Sequence, residues 1–155
     1  AFVYDKNKRT IVFEQDGKHY SPINVASGIK SFGVLQILLN GDFINENRML
    51  IWDEPENHLH PQWQIELAKI LVMLAEAGIP ILVSTHSPYF LQAVRYFSAG
   101  TSIEKYVNFY LANNESDGMS VMKDVTKNLN EAFTQLAKPL SEIMNVDLKR
   151  KKQHS

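Results

Sequence analysis

Met49-Leu50-Ile51-Trp52-Asp53-Glu54-Pro55-Glu56-Asn57-His58-Leu59-His60-Pro61 is the stretch whose reading decides the fold. Its first four residues are an apolar run that stops at two carboxylates and a proline, the pattern of a fully buried strand halted by charge. Pro61 suits the first position of a helix, because its missing N–H is one that the helix leaves unpaired there. Behind it Leu67, Ile70, Leu71, Leu74 and Ala75 recur at helical spacing, and Gly78 with Pro80 ends the run. Residues 79–84 then read as a second buried strand. A strand, a helix of about four turns and a strand make a βαβ unit, whose two strands are parallel and whose crossover is right-handed.

Working outward, Phe2-Val3-Tyr4, Ile11-Val12-Phe13 and His19-Tyr20 alternate as strands, separated by the polar turns Asp5-Lys6-Asn7-Lys8 and Asp16-Gly17. They predict a small antiparallel meander. From residue 28 to residue 40 the residues Ile29, Phe32, Leu35, Leu38 and Leu39 form one apolar helical stripe, with Ser27 placed as N-cap and Gly41 as the stop. Past Thr85-His86-Ser87-Pro88 a short helix reaches Arg95. A hairpin over residues 107–112 and 120–125 turns at Glu115-Ser116-Asp117-Gly118, and a last helix spans residues 130–144, bent or broken by Pro139. The basic end Lys149-Arg150-Lys151-Lys152 reads as a frayed tail over residues 147–155.

Composition narrows the function classes. The 155 residues are 45% apolar and 21% charged, enough for a core that needs neither disulfide nor structural metal. Zero cysteine removes disulfide scaffolds, thiol catalysis and cysteine-based zinc sites together. A formal net charge of −1 argues against a surface that is basic throughout, and so against nucleic-acid binding driven by bulk charge. No apolar run approaches the roughly 20 residues of a membrane span, and no apolar leader follows a basic start, so the expected compartment is the cytoplasm, with no membrane partner. The chain opens on Ala1 inside a strand pattern, which leads to the expectation that it is part of something longer.

In an open parallel sheet, ligands bind at the carboxyl ends of the strands. One such end carries Asp53 and Glu54, whose side chains point to opposite faces if strand geometry persists. The other carries Ser84, Thr85 and His86. A carboxylate for a hard cation, a second able to take a proton from water, and a histidine able to meet an oxyanion make a set suited to phosphate chemistry. Taken singly, Asp-Glu-Pro is more often a solvated exit from the sheet, and a lone histidine more often a capping or hydrogen-bonding residue; their joint placement favours the chemical reading. Lys30, which by itself reads more readily as an exposed lysine whose long stem swings away from the axis, adds to it in this company, standing in the first turn of a helix, where the positive end of the macrodipole disfavours a cation unless an anion is near.

Together these motifs resemble the C-terminal half of an ABC-type ATPase domain, in the soluble branch with RecF, the SMC proteins and the OLD-like AAA-type ATPases. Met49 to Glu54 is similar to a Walker B strand, Pro55 to Pro61 to the D-loop, Ser84-Thr85-His86-Ser87 to the switch-histidine segment, and Ala26-Ser27-Gly28-Ile29-Lys30 stands where the Leu-Ser-Gly-Gly-Gln signature belongs. The resemblance covers about residues 24–95 and implies an α/β fold. That fold is the C-terminal half of a P-loop NTPase-like parallel sheet, with antiparallel hairpins at the start and near the end. It implies one partial ATPase domain over residues 1–146, hydrolysing ATP to ADP and phosphate with Mg²⁺ in an ATP-sandwiched homodimer. Asp53 would be the Mg²⁺-associated carboxylate, Glu54 the base on the attacking water and His86 the γ-phosphate contact. Ser27, Gly28 and Lys30, with Asn57 and His60 of the D-loop segment, would meet nucleotide. Relatives of this branch often act on DNA or with a partner nuclease or effector; the charge balance gives that no independent support.

The sequence also departs from the family pattern. Ile29 replaces the second signature glycine and Lys30 the glutamine, while His60 replaces the D-loop aspartate. No Gly-x-x-x-x-Gly-Lys-Ser/Thr loop stands in the 155 residues, so the chain by itself is expected to be inactive, with the Walker A part upstream and a central strand missing beside residues 79–84. Two other functions stay open: a nucleotide-regulated dimerisation or nucleic-acid-associated module without turnover, and a metal-dependent hydrolase built on Glu56, His58 and His60.

Overall fold

The computed structural model describes residues 2–5, 10–20, 27–114 and 118–153, and these fall into two compact units that divide between Ile103 and Glu104. The first unit opens with the expected meander. Strands β1 (Phe2–Asp5), β2 (Thr10–Gln15) and β3 (Lys18–Tyr20) pair antiparallel in the order β1-β2-β3, with Val3 opposite Val12 and Glu14 opposite His19. Asp16 and Gly17 turn the second hairpin, both at positive φ, as two-residue turns require. The first expected turn and residues 21–26 lie outside the described residues, and Ser27, expected as an N-cap, is the first residue of the helix that follows.

Helix α1 (Ser27–Asn40) buries Leu35 and packs Phe32, Leu38 and Leu39 against the core. It ends at Asn40, directly before Gly41, where the sequence places the stop. The residue that goes left-handed is Asp42 (φ 56°), followed by a bond from the Phe43 N–H to the Leu38 carbonyl at 2.9 Å. Gly41 serves close approach instead, since a Cβ there would stand 2.7 Å from the Phe43 ring.

Strand β4 (Leu50–Asp53), helix α2 (Pro61–Glu76) and strand β5 (Ile81–Ser84) form the βαβ unit, parallel and in the register Leu50↔Ile81 to Asp53↔Ser84. Helix α2 starts with Pro61 at its first turn and His60 as N-cap, Nδ1 accepting from the Gln62 N–H at 3.3 Å. It ends in a Schellman motif. Gly78 (φ 93°) donates to the Ala75 carbonyl at 2.9 Å and Ile79 to that of Leu74 at 3.1 Å. Helix α3 (Pro88–Ser98) packs on α2 through the fully buried Phe90 and Leu67. Leu35, Ile44, Leu59, Ala68, Leu71, Ile79 and Ala93 complete that core.

The two strands are not buried on both faces, as their apolar runs suggested. Leu50, Trp52, Ile81 and Val83 pack against the core, whereas Ile51 is 70% exposed and Leu82 55% exposed. The helices that contribute to this core meet one face of the pair, and β4 and β5 pair only with each other among the described residues.

The second unit holds a hairpin of β6 (Tyr110–Asn114) and β7 (Ser120–Asp124), paired antiparallel, after a short 3₁₀ turn at Glu104–Tyr106. Its expected turn at residues 115–117 lies outside the described residues. Val125, Leu129 and Ala132 are its buried apolar residues. Helix α4 (Asn130–Gln153) contains Pro139 and runs on through the basic stretch, where the sequence reading ended the helix at residue 144 and placed a frayed tail beyond. Proline removes one i to i−4 bond without forbidding the next turn, so an α-helix can pass through it.

Candidate functional site

The parallel register brings the carboxyl ends of β4 and β5 side by side. The Ser84 hydroxyl donates to Asp53 Oδ1 across the pair. The next N–H, that of Glu54, is shared between the Ser84 carbonyl and the Ser84 Oγ, each at 3.2 Å. Strand geometry then stops. Glu54 takes φ 45°, so the expected alternation of Asp53 and Glu54 to opposite faces does not continue, and the chain turns out of the sheet. The Glu54 carboxylate instead meets the residue two beyond Ser84: its Oε1 lies 2.6 Å from Nε2 of His86. The imidazole is 82% exposed and Glu54 is about one-third exposed, so the pair stands at the open rim of the strand ends.

Beneath it lies a polar layer that sequence reasoning undervalued. Glu56 is only 5% exposed. Its Oε1 accepts from the Thr85 hydroxyl and, at 3.2 Å, from the His86 N–H. Its Oε2 is buried with no hydrogen-bond partner among the described residues. The Thr85 hydroxyl accepts from the Ser87 N–H at 3.0 Å. Ser87 in turn caps α3, its Oγ accepting from the Phe90 N–H at 3.2 Å while donating to Gln64 of α2. Gln64 Nε2 donates to the Leu59 carbonyl at 2.9 Å, closing a network between the loop after β4, helix α2 and the segment after β5. The hint available in the sequence was the hydroxyl-rich run Ser84-Thr85-His86-Ser87 opposite the acceptors Asp53, Glu56 and Gln64.

The other expected site residues divide. Asn57 is exposed in the turn after β4, its N–H donating to the Glu54 carbonyl at 3.0 Å. His60 is engaged as the cap of α2, and His58 sits exposed at φ 63°. Glu56, His58 and His60 are not gathered into a metal site, since no group of three His, Asp or Glu side chains among the described residues is placed to hold an ion. Their divergent jobs explain this: Glu56 faces Thr85 and His86, and His60 faces the α2 terminus. Ser27 and Gly28 begin α1, with their side-chain positions outside what is described, and Lys30 is partly buried in a first turn that holds no acidic residue. No helix among the described residues is long and apolar enough to cross a membrane.

A family model described as "AAA domain, putative AbiEii toxin, Type IV TA system" matches residues 6–92, which include both strand ends and all of this network. No curated protein matches the chain. Because the match spans more than half of the sequence, the chain belongs to this AAA-domain family, and its βαβ unit is part of a P-loop NTPase-type domain, a class that binds nucleotide.

Proposed function

We propose that the β4–β5 rim is the water-activating and phosphate-sensing half of an ATPase site of ABC-type arrangement, in the RecF, SMC and OLD-like branch. The observation that carries this reading is the Glu54–His86 contact at 2.6 Å, one residue beyond Asp53 at the carboxyl ends of two parallel strands. Glu54 is the base that orients the attacking water, and His86 meets the γ-phosphate. In the arrangement described above His86 and Glu54 satisfy each other. A γ-phosphate competes for the imidazole N–H and frees the carboxylate to accept from water, which couples phosphate arrival to activation of the nucleophile.

Asp53 fits a hard divalent cation: it is an exposed strand-end carboxylate with the Ser84 hydroxyl beside it, an all-oxygen set. Mg²⁺, when bound, draws charge away from the phosphate oxygens. Asp53 would hold it through water. The phosphate-binding loop, which supplies the cradle for the β- and γ-phosphates, would come from outside these 155 residues, and Ser27, Gly28 and Lys30 at the start of α1 would serve the nucleotide of a second protomer in a homodimer.

The test is Glu54→Gln in the full-length protein. Turnover falls by about 10²–10⁴ while ATP binding persists, as expected for loss of a general base. Unchanged turnover removes Glu54 from that role.

A further inference from the structure

Glu56 takes no part in the chemistry proposed above, yet it is the buried carboxylate nearest to it in the hydrogen-bond network. Burying a carboxylate is costly unless its oxygens are paired. Here one oxygen takes two donors, the Thr85 hydroxyl and the His86 N–H at 3.2 Å, and the other takes none among the described residues. Both donors belong to the segment that leaves β5 and carries the exposed imidazole. Nothing else the side chain does explains the burial: helix α2 is capped by His60, helix α3 by Ser87, and the Leu59 N–H is met by the Glu56 backbone carbonyl rather than by its side chain.

The geometry points to Glu56 as the positioning residue for His86. Its carboxylate pins the backbone of the switch segment to the loop after β4, so that the imidazole is presented to Glu54 at 2.6 Å rather than swinging with an exposed chain. The loop that carries Glu54 also carries Glu56, and the two carboxylates grip one residue from two sides: Glu54 holds the ring, Glu56 the backbone N–H. A side chain as exposed as that of His86 has little else to fix its direction.

This inference rests on the ATPase reading, and two measurements on the full-length protein separate their failures. The first is amide hydrogen exchange at His86, which does not depend on turnover. Exchange is slowed in the parent protein and speeds up in Glu56→Ala, while Glu56→Gln, which keeps an acceptor oxygen, retains most of the protection. Equal exchange in all three overturns the inference whatever the enzyme does. The second is a double-mutant cycle read by steady-state kinetics. Glu56→Ala lowers kcat by on the order of 10²-fold, as misplacement of a catalytic group does, with little change in KM for ATP; Glu56→Gln restores most of it. In a His86→Ala background Glu56→Ala costs nothing further, because it acts through His86. Additive losses, or lost thermal stability with unchanged kcat, overturn positioning while leaving the ATPase reading intact. Unchanged turnover in both His86→Ala and Glu54→Gln overturns both.

Discussion

Ser87 shows how one hydroxyl serves two elements. It accepts from the Phe90 N–H to cap α3 and donates to Gln64 on α2, so the cap is also a link between helices. Ser87→Ala is expected to destabilise the first unit by about 1–2 kcal/mol, the upper part of the range for a lost N-cap, because Gln64 Oε1 also loses its donor. A urea titration of the variant checks this. Gly78 makes a contrasting case, since its nearest prospective Cβ contact is Glu46 at 3.9 Å and space is not the issue. Its φ of 93° is, and Gly78→Ala is expected to cost about 1 kcal/mol through backbone strain alone. Gly78 was legible in the sequence as a stop signal. The different function of Gly41 was not, because Asp42 can adopt the left-handed conformation itself and only the folded chain shows the Phe43 ring over Gly41.

At the level of elements, periodicity carried far. The spacing of Leu67, Leu71 and their neighbours identified α2, and the flanking apolar runs identified a parallel pair, whose register places Asp53 opposite Ser84. Leu67 is completely buried between α2 and α3, so Leu67→Ala is expected to cost about 2–5 kcal/mol, measurable as a lower denaturation midpoint with unchanged slope. The second unit is tied differently. Lys123 of β7 lies 2.5 Å from Glu131 of α4, and that hydrogen-bonded cation, helped by Asn128, holds the Glu131 carboxyl below its usual range. Asp124 is likewise lowered, first by the Thr126 N–H and then by its hydroxyl. Depressed values mean that the unfolded chain takes up these protons first, so the stabilisation is present above about pH 4.3, the ordinary glutamate value, and is lost as pH falls through the lower folded values. Glu131→Gln should flatten the acid side of a plot of stability against pH for this unit; an unaltered acid limb would show that the pair contributes nothing.

For the molecule as a whole, the bare face of the β4–β5 pair is the feature that matters most. Parallel strands are ordinarily covered on both faces, whereas Ile51 and Leu82 are exposed here. No Gly-x-x-x-x-Gly-Lys-Ser/Thr loop stands in the 155 residues, and the chain by itself is expected to release no phosphate from ATP above the uncatalysed rate in a coupled phosphate assay. What the sequence determined alone was the order of elements, the βαβ unit and the residues at its carboxyl ends, because periodicity, proline and glycine act locally and are written in neighbouring positions. What tertiary structure decided was which side chains meet across it: Glu54 with His86, and Glu56 with Thr85 and the His86 backbone. Those partners stand about thirty positions apart, joined by α2, and their pairing depends on a left-handed turn at Glu54 and on burial of Glu56, two properties that no local pattern encodes.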